Sequence, residues 1–171
     1  MTEFEFRPLT EDDLPMLHDW IARPHVAAVW DSPTSIEEIR EEYLPTIRDA
    51  SSLRAYIAWQ HGRPIGFIQS YVAAHAGDGW WSDERDPGVI GIDQFIAAAS
   101  DLNRGIGTAM VKAFVARLFE DPSTTRVQTD PSPDNDRAIR CYEKAGFRQL
   151  GEADTPDGRA VLMVCERPVT L

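Results

Sequence analysis

The chain has 171 residues, 28 of them acidic and 17 basic, which gives a formal net charge of −11. Such a surface repels nucleic acid, because phosphate binding needs clustered lysine and arginine, and it attracts small cations. The sequence has no apolar run as long as a membrane span, and acids stand near its start where a signal peptide carries bases. We therefore expect one cytoplasmic domain over residues 1–171, monomeric or homodimeric, with neither a membrane nor a nucleic acid as partner.

The first half of the chain predicts a strand, two helices and a hairpin. Thr10 precedes three acidic residues and an apolar stripe at helical spacing, which is typical of an N-cap, and Ser35 with Glu38 resembles a capping box. The tripeptide His61-Gly62-Arg63 separates two strand-like segments, which predicts a hairpin. The predicted elements are a strand at 4–9, a helix through Leu14, Leu17 and Ile21, a helix at 36–47, and strands at 53–60 and 64–72.

The second half begins with a polar, aromatic loop at 74–88, AHAGDGWWSDERDPG, whose length and lack of periodicity predict a function. A helical apolar pattern then begins at Gly105 and ends at Asp121-Pro122, and Gly146 closes a second one. The remaining predicted elements are strands at 88–96, 125–129, 147–153 and 160–167 and a helix at 134–145. This order predicts a mixed α/β (α+β) fold, with one sheet and helices on its faces.

A glycine-rich turn at 102–108, LNRGIGT, lies between a predicted strand and a predicted helix. Glycines let the backbone approach a ligand closely, and the free N–H groups and dipole of the helix N-terminus favour an anion such as a pyrophosphate. Arg104 adds positive charge. The turn lacks the GK[ST] of a P-loop and the third glycine of a Rossmann fingerprint. By itself it is equally consistent with a helix entry that binds nothing.

A second motif follows about 30 residues later. It comprises Asn135, Ala138, Tyr142, Gly146 and Phe147, on one predicted helix and its exit. The two motifs together resemble the GCN5-related N-acetyltransferase (GNAT) superfamily. The resemblance implies a GNAT fold, a central twisted mixed sheet flanked by helices, in which the glycine turn holds the pyrophosphate of coenzyme A and the later helix flanks its pantetheine arm and thiol.

The coenzyme contacts that the resemblance implies fall on the strand at 88–96, the glycine turn and the later helix. These residues are Phe95, Ile96, Arg104, Gly105, Ile106, Gly107, Thr108, Asn135, Ala138 and Tyr142. Leu102 stands where the family often has Gln or Arg. This departure affects one side-chain contact and leaves the backbone cradle intact.

Longer stretches resemble the aminoglycoside 6′-N-acetyltransferases. These are QSYVAAHAGDGWW, DPGVIGIDQ, QTDPSPDNDRAIRCYEKAGF and TPDGRAV. The resemblance implies acetyl-CoA as cosubstrate, the 6′-amine of kanamycin-type or tobramycin-type drugs as acceptor, and resistance as the outcome. The region around Val29-Trp30-Asp31 diverges more. We expect no metal, since the four histidines show no ligand spacing.

The same resemblance implies roles for several acidic and aromatic residues. Asp93, a charge inside an apolar strand, is either the general base or a binder of the drug's ammonium groups. Tyr142 is the general acid for the departing thiolate, or else a core tyrosine. The further substrate-binding residues are Trp30, Asp78, Trp80, Trp81, Asp130 and Asp157, of which Asp130 and Asp157 also suit turns or caps.

Two other functions remain open at this stage. The first is a GNAT enzyme that acetylates another amine, such as a polyamine, an amino-acid derivative or a protein N-terminus. The second is a non-catalytic module that binds coenzyme A, although such a module does not need Asp93 and Tyr142 together. For the enzyme we expect direct transfer in a ternary complex, because neither Cys141 nor Cys165 lies where a nucleophile is needed.

Overall fold

The structure is a computed structural model that describes residues 3–30, 35–51, 53–77 and 79–169. Within these residues the strands are β1 Phe4–Pro8, β2 Leu53–Gln60, β3 Arg63–Val72, β4 Val89–Ile96, β5 Arg126–Thr129, β6 Arg148–Thr155 and β7 Gly158–Glu166. The α-helices are α1 Leu14–Ile21, α2 Pro24–Ala27, α3 Ile36–Arg48, α4 Ile106–Phe119 and α5 Asp136–Lys144.

The strands form one sheet in the order β1-β2-β3-β4-β5-β7-β6. The β1–β2, β5–β7 and β6–β7 pairs are antiparallel, whereas β4 and β5 are parallel and are joined from Val89↔Arg126 to Gly91↔Gln128. Parallel neighbours need a crossover, which α4 supplies. The sheet is therefore mixed, and the predicted α/β class is confirmed.

Local signals in the sequence account for most element boundaries. Asp13 Oδ2 accepts hydrogen bonds from the backbone N and Oγ1 of Thr10, at 2.9 and 3.0 Å, where the first helical segment begins. Ser35 Oγ accepts from Glu38 N at 3.2 Å at the start of α3. His61 and Gly62 have φ of 51° and 76°, as a two-residue hairpin turn requires. The predicted N-caps and hairpin are thereby confirmed.

Helix α2 was not predicted from the sequence. It has four residues, and it begins at Pro24, which suits the first position of a helix. Four residues are too few to show a helical period, so its apolar residue Val26, which is fully buried, gave no recognisable pattern.

The chain divides into two compact units. The first comprises Met1–Gln69 and Gln94–Arg104, and the second comprises Ser70–Asp93 and Gly105–Leu171. The first unit contains one apolar cluster, formed by buried residues of α1, α2, α3, β2, β3 and β4. In the second unit the buried apolar residues of α4, β5 and β7 include Met110, Val111, Phe114, Val127, Met163 and Val164. No helix in the described part of the chain is long and apolar enough to span a membrane.

Candidate active site

Asp130 lies within electrostatic range of two other carboxylates of the second unit. Asp93 lies on β4, Asp130 directly follows β5, and Asp157 lies in the turn between β6 and β7. Burial, followed by the negative charges of Asp93 and Asp157, raises the pKa of Asp130 to about 8. Carboxylates held this close favour a cationic ligand, because an ammonium group removes their mutual repulsion.

The parallel pair of strands explains why Asp93 and Asp130 come together. Their ladder reaches Gly91↔Gln128, and Thr129 Oγ1 then donates a hydrogen bond to the Ile92 carbonyl at 3.0 Å. Asp93 is the next residue after Ile92, and Asp130 is the next residue after Thr129. Asp130 directly follows β5, whereas Asp93 lies within β4, which continues to Ile96; both carboxylates thus stand just beyond the joined part of the parallel pair.

Tyr71 belongs to the same cluster and was missed in the sequence. Trp81 Nε1 donates a hydrogen bond to Tyr71 Oη at 3.3 Å. Burial, followed by the charges of Asp93 and Asp130, raises the pKa of Tyr71 well above its usual value. A Cβ at Gly91 would overlap the tyrosine ring and hydroxyl. A glycine inside an apolar strand marks such a close approach, so Gly91 was the available signal.

The aromatic loop contacts two neighbouring segments of the second unit. Glu84 forms an ion pair with Arg126 at 3.3 Å, and Asp86 Oδ2 accepts from Thr125 Oγ1 at 2.7 Å. Gly79 lies against the β6–β7 turn, where a Cβ would be 3.1 Å from Pro156 Cγ. These contacts hold the loop beside the strand and the turn that carry Asp130 and Asp157.

Within this loop Trp80 and Trp81 are both partly buried, with ring centroids 6.4 Å apart and planes inclined at 51°. Trp81 has a φ of 46°, which is an uncommon backbone conformation for a bulky residue. In this conformation its indole N–H is directed towards the Tyr71 hydroxyl. Asp78, the loop's predicted substrate ligand, lies outside the described residues.

Helix α4 begins at the glycine turn as predicted. Gly105 is its N-cap residue, with a φ of 77° in the left-handed region that favours glycine. The backbone N–H groups of Ile106, Gly107 and Thr108 form the first turn, where the helix itself supplies no acceptors. These donors and the helix dipole make an anion site chemically reasonable here.

The arginine of the turn is held by a residue that the sequence did not single out. Arg104 Nη1 lies 3.8 Å from Asp101 Oδ1, and Arg63 Nη1 lies 3.1 Å from Asp101 Oδ2. Asp101 is only 5% exposed, whereas both arginine side chains are more than half exposed. The guanidinium of Arg104 is thus braced and remains accessible to an anion.

Helix α5 carries the second predicted motif. Asn135 Oδ1 accepts from Ala138 N at 3.2 Å, so the asparagine is the N-cap of the helix. Tyr142 is buried and packs against Phe147 with 5.4 Å between ring centroids. An ionised Tyr142 would also raise the pKa of Tyr71, so the two phenols lie within electrostatic range of each other.

In the first unit, Trp30 and Phe95 pack together. Trp30 makes edge-to-face contacts with Phe95 and Phe67, with centroids 5.1 and 5.7 Å apart. Phe95 and Ile96 are buried, at 5% and 7% exposed. The side chain of Phe95 belongs to the core, so only its backbone is suited to contact a ligand.

Both cysteines are thiols of low reactivity. Burial raises the pKa of Cys141 and of Cys165. Thr108 Oγ1 donates to Cys141 Sγ at 3.7 Å, which ties α4 to α5. Neither thiol has the lowered pKa of a nucleophile. The described residues contain no group of three or more His, Cys, Asp or Glu side chains that could hold a metal ion.

Comparison with known proteins supplies the family context. Residues 10–155 match the model of the acetyltransferase (GNAT) domain. The chain is 52% identical over 164 residues to aminoglycoside N(6′)-acetyltransferase type 1 of Klebsiella pneumoniae, covering 94% of this chain and 82% of that one. It is 33% identical over 159 residues to the lysine N-acyltransferase MbtK of Mycobacterium tuberculosis, covering 92% and 75%.

A solved structure is similar over almost the whole chain. It is that of aminoglycoside acetyltransferase AAC(6′)-Ib in complex with coenzyme A and kanamycin. The TM-score is 0.91 and the identity 52%, with 96% of this chain and 95% of that chain covered.

Proposed function

This chain belongs to the acetyltransferase (GNAT) domain family, and on that basis we propose that it transfers acetyl from acetyl-CoA to the 6′-amine of aminoglycosides of the kanamycin or tobramycin type, conferring resistance. The predicted GNAT fold is confirmed by the family match and by the similar solved structure. The observation that carries the substrate class is the cluster of Asp93, Asp130 and the exposed Asp157, in which the burial of Asp130 and its repulsion by the other two carboxylates favour a polycation.

The substrate side of the site combines charge with aromatic surface. Asp130 and Asp157 bind ammonium groups of the drug, and Asp78 is a further predicted ligand. Trp80 and Trp81 offer flat apolar faces to sugar rings. Tyr71, which stays a neutral phenol, can donate to a hydroxyl or carboxylate. Trp30 stays a predicted wall residue, and in the structure it packs against the apolar core of the first unit.

The acceptor amine has to lose a proton before it attacks. An alkyl ammonium with a pKa near 10 is only about 0.1% neutral at pH 7. In our proposal Asp93 takes this proton, directly or through a water, while the alternative is that Asp93 only binds the ammonium. The neutral nitrogen then bonds to the thioester carbon as the carbon–sulfur bond breaks. Tyr142 protonates the departing thiolate and is reprotonated, through solvent, by the second proton that the acetylated nitrogen loses, which leaves a neutral amide and a free thiol.

Acetyl-CoA is held by backbone groups and by Arg104. The N–H groups of Ile106, Gly107 and Thr108 bind the pyrophosphate at the N-terminus of α4, which Gly105 opens, and Asn135 and Ala138 flank the pantetheine arm. The backbone at Phe95 and Ile96 binds the acetyl group: the Ile96 N–H donates to the carbonyl oxygen as negative charge develops on it, while the Phe95 N–H points to the other side of the strand. We further propose that residues 1–171 act as one catalytic domain in the cytoplasm, where acetyl-CoA is available. The family match supports a single domain, because residues 10–155 include parts of both compact units.

Direct transfer makes a specific prediction for Cys141. Cys141→Ala is expected to keep kcat within about twofold of the wild type, because a thiol with a raised pKa is not a nucleophile. Steady-state release of free thiol measures kcat, and a thermal melt shows that the variant is folded. A folded variant that has lost nearly all turnover would contradict direct transfer and require an acyl-enzyme.

The raised pKa of Asp130 predicts that the affinity for kanamycin depends on pH. Its pKa of about 8 means that the carboxyl group is mostly protonated at pH 7 in the free protein. A bound ammonium group favours the carboxylate, so binding expels the proton below about pH 8 and affinity rises as the pH approaches that value. Calorimetry of kanamycin binding at pH 7, in buffers of different ionisation enthalpy, is expected to show up to about one more proton released by the wild type than by Asp130→Asn. Equal release by both proteins would contradict this role.

A panel of acceptors tests the substrate class. Thiol release is measured with kanamycin, spermidine and a lysine derivative, the last because one relative is a lysine N-acyltransferase. We expect the highest kcat/KM for kanamycin. A preference for spermidine or lysine would keep the acetyltransferase and overturn the aminoglycoside, and binding of coenzyme A without any turnover would favour a non-catalytic module.

A further inference from the structure

Two side chains at the start of α2 bind the backbone at the end of β4. His25 Nε2 lies 2.8 Å from the carbonyl oxygen of Ile96, and Arg23 Nη1 donates to the carbonyl oxygen of Ala97 at 2.7 Å. A carbonyl oxygen can only accept, so His25 Nε2 carries a hydrogen. Backbone carbonyls of a sheet are ordinarily bound by a neighbouring strand, and here side chains replace the strand.

The peptide geometry fixes the direction of the Ile96 N–H. The peptide between Ile96 and Ala97 is trans, so its carbonyl and its N–H point in opposite directions. Ala97 N donates to the Ile65 carbonyl at 2.9 Å, and the Ile96 carbonyl therefore points away from Ile65, towards His25. In an extended residue the N–H and C=O point to the same side of the strand. The Ile96 N–H consequently lies on the side of His25.

We propose that His25 and Arg23 are positioning residues for acetyl transfer. By binding the carbonyl oxygens of Ile96 and Ala97, they hold the Ile96 N–H in the orientation that binds the acetyl carbonyl oxygen of acetyl-CoA. The inference rests on the proposed function, which assigns the backbone at Phe95 and Ile96 to the acetyl group. Its new content is that the imidazole of His25 in α2 and the guanidinium of Arg23, the N-cap residue of α2, set the geometry of that backbone.

The supporting helix is itself well anchored. Val26 is fully buried, and Arg23 Nη2 donates to the Asp19 carboxylate at 2.9 Å while Nη1 holds Ala97. The backbone at the end of β4 is thus held by two side-chain donors at the start of α2, Arg23 and His25.

The expected effect falls on kcat. One donor aimed at an oxyanion contributes about 10²–10³-fold to kcat, and a misaligned donor loses part of this. Because the contact strengthens as charge develops in the transition state, ground-state binding changes much less. Coenzyme A has no acetyl carbonyl, so its Kd reports on every contact except this one.

The test uses the full chain and three variants. His25→Leu removes the donor and keeps an apolar side chain, whereas the amide nitrogen of His25→Gln can take the place of Nε2. His61→Asn is the matched control, because His61 is an exposed turn residue in a left-handed conformation that asparagine tolerates. For each protein we measure kcat with kanamycin, the Kd of coenzyme A by calorimetry and the thermal midpoint.

We expect His25→Leu to lower kcat about tenfold, with a Kd for coenzyme A within about twofold of the wild type. His25→Gln is expected to recover most of the loss, and His61→Asn to match the wild type. An unchanged kcat in His25→Leu overturns the inference. Parallel losses of kcat and coenzyme A affinity, equal for Leu and Gln, overturn it as well. If His25→Leu does not fold, Arg23→Met provides the same split between kcat and Kd.

The wild type in the same assay separates this inference from the proposed function. Absence of kanamycin turnover by the folded wild type overturns the proposed function. Wild-type turnover that is unaffected by loss of the His25 donor overturns only the positioning role.

Discussion

Asp93→Asn is expected to lower kcat for kanamycin acetylation by about 10²–10⁴-fold, the range for loss of a general base. Asparagine keeps the size and hydrogen-bonding geometry of aspartate but cannot take the ammonium proton. Neutralising Asp93 also removes a charge that raises the pKa of Asp130, so the acidic cluster loses both a base and part of its field. Initial rates across a range of pH, at saturating acetyl-CoA, measure the effect.

The kinetic constants decide whether Asp93 acts as base or only as binder. Loss of a base lowers kcat, and raising the pH restores part of the rate because more of the amine is neutral. Loss of a binder raises the KM for the drug and leaves kcat nearly unchanged. Asp12→Asn is the control, since it makes the same change at an exposed site in the N-terminal turn. A wild-type kcat in Asp93→Asn would contradict the base.

Gly91→Val is expected to disable the drug site through Tyr71. A side chain at Gly91 overlaps the tyrosine ring, and overpacking of this kind costs about 1–3 kcal/mol of folding stability. The displaced phenol loses its hydrogen bond with Trp81 and also the hydrogen bond to the drug that we propose for it, so we expect the KM for kanamycin to rise about tenfold, as for one lost hydrogen bond of about 1.4 kcal/mol. Chemical denaturation and steady-state kinetics measure the two effects.

A double variant separates the packing effect from the binding effect. Gly91→Val combined with Tyr71→Ala removes the ring that the new side chain overlaps, so the double variant is expected to be more stable than the sum of the Gly91→Val and Tyr71→Ala losses predicts. The weak binding of kanamycin is expected to remain, because the phenol is absent. Recovery of the wild-type KM in this double variant would show that Tyr71 does not contact the drug.

Most of the fold could be predicted from local signals in the sequence. Ser35 and Glu38 marked the start of α3, and the left-handed pair His61-Gly62 marked the hairpin, because these signals act over a few residues. Helix α2 could not be found in this way, since its four residues are stabilised by the burial of Val26 in a core formed by distant segments.

Only part of the candidate site could be predicted from the sequence. The glycine turn is a local motif, and Gly105 opens α4 where the sequence predicts the helix to begin, in the left-handed conformation that glycine tolerates. By contrast, Tyr71 lies in an apolar strand, and its place beside Trp81 and Gly91 depends on sheet packing. The contact of His25 with the Ile96 carbonyl joins residues 71 positions apart, which no local pattern reports.

The measurement that tests the central claim most directly is acetyl-CoA turnover, followed by release of free thiol, with kanamycin and with a kanamycin that lacks the 6′-amine. The proposed function predicts rapid turnover with the first compound and none with the second, which would establish the enzyme, its substrate class and its regiochemistry together. Equal turnover with both would contradict the 6′ position, and no turnover with either would contradict the aminoglycoside as substrate.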